Sequence, residues 1–396
     1  MGAMNSMPDV VALRRELHQI PEVGLQLPQT QARILDALEG LPLEITLGKA
    51  LTSVVGVLRG RVRTQGKRPV VLLRGDMDAL PVKEKTGLDY ASTNGAMHAC
   101  GHDLHMSIIV GAAHALSAMK DTLAGDVIFM FQPGEEGFDG CRHMLEEGLL
   151  DVAGSRPDFA YAIHVWSALE ANGVFTTKPG TIMASTDEAR ITVTGRGTHG
   201  STPHLGVDPV PALAEMVTAT HQMVTRRHSI FDPVVVTVGM IEAGSAANVI
   251  PDDGSFRATI RAFSKQARAQ ALEELRRLVD GIAAAHGVEA DFDLIEQYPV
   301  TINDPDQTRF AAETITEMFG DDRFLLWKDP LAGAEDFSRI LEEVPGCFIG
   351  LAATPENLDP ATAPFNHSPL ARFDDAVVPD GAALLTELTR RHLARD

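Results

Sequence analysis

Val127-Ile-Phe-Met-Phe131-Gln-Pro-Gly-Glu135-Glu136-Gly137 is the stretch on which the fold turns. Its apolar run is too short for a helix and is closed by Pro133-Gly134, so it reads as a strand buried on both faces. Such a strand belongs to a sheet covered on both sides. The two carboxylates that follow it fall where an α/β sheet presents its ligand site, at the carboxyl end of a strand. Pro-Gly-Glu-Glu-Gly is also ordinary turn chemistry, and taken alone that reading is the simpler one.

Outward from this stretch the same texture recurs. Pro69–Leu73 and Phe159–Trp166 are continuously apolar, and a further strand signal lies at Leu51–Leu58. Residues 105–119 are small and apolar, as in a helix packed on a sheet. Val10, Leu13, Leu17 and Ile20 recur at helical spacing and end at Pro21. Strands alternating with helices predict an α/β layer with a mostly parallel sheet flanked by helices.

The texture changes near residue 182. Residues 188–196 alternate like a half-buried strand, and 207–226 carry a helical pattern. Val234–Ile241 and Ser255–Phe263 read as strands, 264–286 as an amphipathic helix, and Ala290–Ile295 as a last strand. That order, β-α-β-β-α-β, is the ferredoxin-like split unit. After Pro299 the apolar helix-and-strand texture resumes. The expected organisation is a discontinuous domain, residues 1–181 and 297–396, with an α+β domain inserted at 182–296.

Composition narrows the function. The 396 residues carry 34 basic and 54 acidic side chains, a formal charge of −20. Such a surface repels phosphate backbones, so nucleic acid is not an expected partner. Three cysteines, an odd number with no C-x-x-C, indicate a reducing, cytoplasmic setting rather than a disulfide framework. The opening MGAMNSMPDV has neither the basic nor the apolar part of a secretory leader, and no apolar run is long enough to span a membrane. Gly195-Arg-Gly197-Thr-His-Gly200 matches G-x-G-x-x-G, but Pro203 and Gly206 preclude the helix that a dinucleotide site needs.

Four segments hold ligand chemistry. His98-Ala-Cys100-Gly-His102-Asp103-Leu-His105 combines a thiol with imidazoles, the donors of zinc and its first-row neighbours. In an extended or loop conformation Cys100 and His102 could reach the same ions, with Gly101 permitting tight backbone geometry. Glu135-Glu136 supplies adjacent carboxylates, costly to bury together without a cation. His164 closes an apolar strand, and His367 sits between Pro364 and Pro369. Each has a bland reading as a turn or a structural histidine. Three of the four follow or end strands of one sheet, and their donor types are complementary, which is what a two-metal hydrolytic site requires.

The chain resembles the M20 metallopeptidase family, in its amidohydrolase branch of hippurate hydrolases, N-acyl-amino-acid amidohydrolases and auxin-conjugate hydrolases. The likeness is carried by Arg14-Arg-Glu-Leu-His18-Gln-Ile-Pro-Glu22, Arg74-Gly-Asp76-Met-Asp78-Ala-Leu-Pro81, Met97–His105 and Phe131–Gly137. It continues in Gly197-Thr-His199-Gly, Pro203–Pro209, Asn248-Val-Ile-Pro251, Gly333-Ala-Glu-Asp-Phe337 and His367-Ser-Pro. Gly75 and Pro28 depart from the family's usual alanine and acidic residue, and neither is a candidate ligand.

The resemblance implies that Cys100, His102, Glu136, His164 and His367 hold two divalent ions, Mn²⁺ or Zn²⁺ with Co²⁺ or Ni²⁺ as alternatives. Glu135 would be the general base and Asp78 a supporting carboxylate, with Asp103 and His105 open to the same reading. The inserted domain would serve as lid and dimerisation domain. Its His199 would stabilise the oxyanion in the partner subunit's site of a homodimer, and Asn248 and Arg261 would bind the substrate carboxylate. The implied reaction is amide hydrolysis of an N-acyl amino acid. A dipeptidase or aminoacylase activity and a catalytically silent metal-binding module are the alternatives.

Overall fold

The structure, a computed structural model, describes residues 9–62 and 66–394. The opening stretch MGAMNSMPDV considered above therefore lies largely outside the described residues. The chain divides into two compact units. One comprises Met1–Ile182, Ile302–Asp329 and Asp336–Asp396, and the other Met183–Thr301 with Pro330–Glu335.

The first unit is built on an eight-stranded sheet. In spatial order its strands are Leu43–Leu47, Val54–Arg59, Asp126–Gln132, Val70–Asp76, Phe159–Trp166, Gly346–Ala352, Phe175–Thr177 and Phe324–Leu326. The four central strands, from Asp126–Gln132 to Gly346–Ala352, run parallel. The pairs that flank them directly are antiparallel. Leu13, Leu17, Leu73, Ile108, Phe129, Ile163, Ile349 and Leu385 belong to one buried core beside this sheet. The His102–Ala118 helix packs on the Val70–Asp76 strand and on the Val10–Gln19 and Val377–His392 helices. That helix is buried almost throughout, as its small apolar composition requires.

Some boundaries differ from the sequence reading. The Val70–Asp76 and Asp126–Gln132 strands run on past their apolar runs, pairing Asp76 opposite Gln132. Buried polar residues are tolerated there because Arg74 hydrogen-bonds to both side chains. The helix expected from residue 105 begins at His102, so His102 sits in its first turn rather than in an extended loop. The left-handed Gly101 (φ 86°) turns the chain directly into the helix.

The second unit has a four-stranded sheet in the order Val234–Ala243, Asp253–Ala262, Asp187–Thr194 and Glu289–Glu296, antiparallel throughout. The Pro209–Arg227 and Lys265–His286 helices pack on it around Ile191, Met216, Ile260 and Leu275. In chain order the unit's last strand, Glu289–Glu296, lies beside its first, Asp187–Thr194, which is the split ferredoxin-like arrangement. Residues 198–199 form a short strand where a nucleotide-binding loop would need a helix.

Candidate metal centre

The ligand-type residues of the first unit gather at the carboxyl ends of its parallel strands. Asp76 ends one strand, Glu135 and Glu136 follow another, and His164 lies two residues from the end of a third. Between Cys100 and His102, Gly101 leaves no room for a side chain: a Cβ there would lie 2.4 Å from Val165 Cγ2. This close approach brings Cys100 against the end of the His164 strand.

Cys100 Sγ lies 3.4 Å from His164 Nε2 and 3.3 Å from His367 Nε2. His367 Nε2 is 3.1 Å from Glu136 Oε1, and His102 Nε2 is 3.9 Å from the same oxygen. The donors form two overlapping triads, Cys100–His102–His164 and Cys100–Glu136–His367, each with its ligand atoms within 4.8 Å of one another. The thiol is common to both. A further group joins His102, Glu135 and Glu136, so Glu135 stands beside the triads without belonging to either.

The electrostatics fit cations. Burial disfavours a charged His102, yet Asp76, Asp78 and Cys100 outweigh it and lift the ring well above the usual histidine range. Hydrogen bonds to Cys100 and Glu136 hold His367 up at about 10. The site is thus a concentration of negative charge that divalent ions would neutralise. Burial drives His164 well below its ordinary value, so it is neutral. Its Nδ1 bonds to the Val165 carbonyl, which makes Nδ1 the protonated nitrogen and leaves the Nε2 lone pair facing Cys100. Both ring nitrogens of His102 are buried without a hydrogen-bond partner among the described residues. A buried imidazole left in that state is costly unless an ion takes a nitrogen. The residues present therefore fit two divalent ions, with Cys100 placed to serve both.

Asp78 is buried, and its two oxygens accept the backbone N–H groups of Glu135 (2.9 Å) and Glu136 (3.0 Å). It is also 3.6 Å from His102 Nδ1. One carboxylate thus fixes the acidic loop and faces His102.

His105 Nδ1 bonds to Asp76 at 2.6 Å, and Nε2 accepts the Val165 N–H at 2.8 Å. With both nitrogens engaged, His105 braces the strand end that carries His164. Asp103 faces away, into a buried network with Arg14 and His18. Burial pushes His98 down to about 3, and it lies in the same surroundings.

Three contributors escaped the sequence reading. Asp76 is fully buried; burial opposes its charge, but Arg74, His102 and His105 hold it well below the usual carboxylate range. Asp336 accepts from Arg74 (2.9 Å), Gln132 and the Cys141 N–H (3.0 Å). Asn366 is the third. Its Oδ1 accepts the Ser167 N–H at 2.9 Å, and its Nδ2 donates to the Cys100 and Val165 carbonyls at 3.2 and 3.0 Å. It clips the His367 loop to the Cys100 and His164 segments. His367 adopts φ 72°, uncommon for a side-chain-bearing residue, and its N–H bonds to the Ala99 carbonyl at 2.8 Å. Asp76 and Asp336 were polar residues inside the quoted motifs, and Asn366 directly precedes the last of them.

The remaining candidates belong to the second unit. His199 is exposed and pairs with Val249 across a two-stranded ribbon. Its Nδ1 accepts the Ser201 N–H at 3.1 Å, which leaves Nε2 as an outward donor. Asn248 is on the same ribbon, its carbonyl bonded to the Gly200 N–H at 2.8 Å. Arg261 lies on the Asp253–Ala262 strand opposite Val235 and lines a hollow of about 350 Å³ with Arg257 and Met240.

Comparison with known proteins gives a concordant picture. The family described as "Peptidase family M20/M25/M40" matches residues 72–391. Thermostable carboxypeptidase 1 of Saccharolobus solfataricus is 35% identical over 88% of this chain and 86% of its own length. IAA-amino acid hydrolase ILR1-like 2 of Arabidopsis thaliana is 33% identical over 97% of this chain and 85% of its own. A Bacillus subtilis crystal structure, described as a dinuclear metal-binding peptidase of the M20 family, superposes with a TM-score of 0.81 at 30% identity, covering 97% of each chain.

Proposed function

The chain belongs to peptidase family M20/M25/M40, as a metal-dependent hydrolase of amide bonds, and we propose that its substrates are N-acyl amino acids of the hippurate or indole-acyl kind. The observation that carries this reading is the pair of triads sharing Cys100, with Glu135 adjoining both. Cys100, His102, Glu136, His164 and His367 would hold two divalent ions, Mn²⁺ or Zn²⁺ before Co²⁺ or Ni²⁺. When bound, the ions polarise the amide carbonyl and make a water acidic enough to attack it near neutral pH.

The Glu135 carboxylate takes a proton from the attacking water and delivers it to the departing amine nitrogen. Its backbone anchor on Asp78 keeps that carboxylate beside the ligands during both transfers. His199 Nε2–H is the donor to the developing oxyanion, acting in the partner subunit of a homodimer. Asn248 and the Arg261 guanidinium bind the substrate carboxylate. The inserted unit, residues 182–296 in the sequence reading, serves as lid and dimerisation domain. Support for pairing comes from its Val234–Ala243 edge strand, which presents Val235, Met240 and Ile241 to solvent beside the exposed Phe231. The odd count of three cysteines favours a cytoplasmic setting.

Glu135→Gln tests the assignment. Turnover of N-benzoylglycine should vanish while two ions per chain still bind, as counted by elemental analysis. A variant that keeps near-normal turnover removes Glu135 from the base role. The likeness to a carboxypeptidase favours a second reading, peptide cleavage, and a panel of N-acyl amino acids, dipeptides and longer peptides separates the two. Failure to release amine from any of them, with Mn²⁺ supplied, would leave a silent binding module.

A further inference from the structure

Both tryptophans of the chain stand together next to the candidate ligands. Trp166 follows His164 by two residues on one strand, so the two side chains leave the same face. Its ring stacks on the His164 imidazole, with centroids 4.2 Å apart and planes at 27°. Trp327 lies 5.9 Å from Trp166, and Phe365 lies 6.1 Å from it at 20°. These separations fall within the range of favourable offset aromatic stacking.

The row begins on a histidine that touches Cys100 and runs outward. Trp166 is buried at its base, Trp327 is half-buried, and Phe365 is 41% exposed. Core packing accounts for Trp166 but not for a phenylalanine ring turned to solvent two residues before His367. Nor is Phe365 on a loose loop. The Ser167 hydroxyl donates to the Pro364 carbonyl at 2.9 Å, and the Asn366 clip holds the following residue. Trp327 is steadied by Nε1–H donation to Glu170 at 3.2 Å. Exposed, rigidly held aromatic rings that extend an active site are the usual lining of an apolar ligand pocket.

We propose that Trp166, Trp327 and Phe365 form the wall against which the acyl group lies, so that flat aromatic acyl groups are preferred to acetyl. The inference rests on the amide-hydrolase reading and specifies which side chains choose the substrate. Aromatic rings suit the task because they offer large, rigid area and a quadrupole that another ring can stack against.

Since the chain has no other tryptophan, its tryptophan emission reports from this wall alone. In the Mn²⁺-loaded full chain, 4-nitrobenzoate should quench that emission saturably, with absorbance corrected, and N-benzoylglycine should compete; acetate should leave it unchanged. Phe365→Ala and Trp327→Ala should each lower kcat/KM for N-benzoylglycine about tenfold, mainly through KM. N-acetylglycine, which differs only in its acyl group, should change by less than about twofold. Trp327→Phe should restore most of the benzoyl activity. Quenching that never saturates, or equal losses on both substrates, overturns the wall. A wild-type chain that hydrolyses neither substrate yet shows saturable quenching refutes the hydrolase reading and leaves the wall standing. A chain active on both substrates and indifferent to the variants does the reverse.

Discussion

Asp78→Asn removes a charge and almost no volume, and the structure assigns it a defined cost. In the native chain the two carboxylate oxygens accept from the Glu135 and Glu136 N–H groups at 2.9 and 3.0 Å. An asparagine keeps one acceptor and turns an NH₂ toward the other N–H, donor against donor. Hydrogen bonds to a charged group contribute about 1.5–3 kcal/mol, and a buried N–H left unmet costs about 1–3 kcal/mol. The side chain is fully buried, so little of this is recovered from water. A loss of about 2–4 kcal/mol is expected, measured by urea denaturation of the metal-free protein, where ion binding cannot contribute. Because the same residue faces His102 Nδ1 at 3.6 Å, ion affinity should fall about 10–100-fold in calorimetric titration. Turnover should fall with it, since the Glu135 backbone is no longer anchored. If Asp78→Asn unfolded within about 0.5 kcal/mol of the wild type and bound ions equally well, the claim that Asp78 organises this loop would be wrong.

Other outcomes are expected from the same geometry. Gly101→Ala forces a Cβ to within 2.4 Å of Val165 Cγ2 at a left-handed position; it should destabilise by about 2–4 kcal/mol in thermal or urea unfolding, and a neutral result would mean the helix start can shift freely. Asn366→Ala unclips the His367 loop, so one of the two ions should bind at least about tenfold more weakly, detectable as a drop in metal stoichiometry after dialysis. Burial opposes the charge of Glu84, but bonds from His18, Thr86 and the Ser92 N–H draw it down from 4.5 to about 2. Its contribution is therefore complete above about pH 4.5 and is lost as pH falls toward 2. The gap in unfolding free energy between wild type and Glu84→Gln should be about 2 kcal/mol at pH 6, discounted for partial solvent exposure, and should close in acid; a gap that widened below pH 4 would contradict that sign.

Much of the site was legible because chemistry and position coincided in short segments. Glu135-Glu136 after an apolar strand and His164 near the end of another are local patterns. Asn366 was not legible in that way: its importance comes from carbonyls some 200 and more positions away, at Val165 and Cys100. Asp76 and Asp336 were opaque for a related reason. A carboxylate among buried residues looks misplaced until the buried Arg74 that links the two is seen. His105 shows the converse. The sequence left a supporting role near the ions and a structural role at a strand end equally open for it, and the structure bonds its two nitrogens to Asp76 and to the Val165 N–H.

The amino-acid sequence by itself determined the layers: buried strands follow from unbroken apolar runs, and the second unit's order follows from its switch of periodicity, because local burial and spacing dictate element type. It also determined which donors are on hand. Only the tertiary structure decided how they are shared, with one thiol common to two triads, because that depends on Gly101 and Val165 coming close enough to press distant segments together. A metal centre is a property of distances between segments, and such distances are fixed by packing rather than by the order of residues.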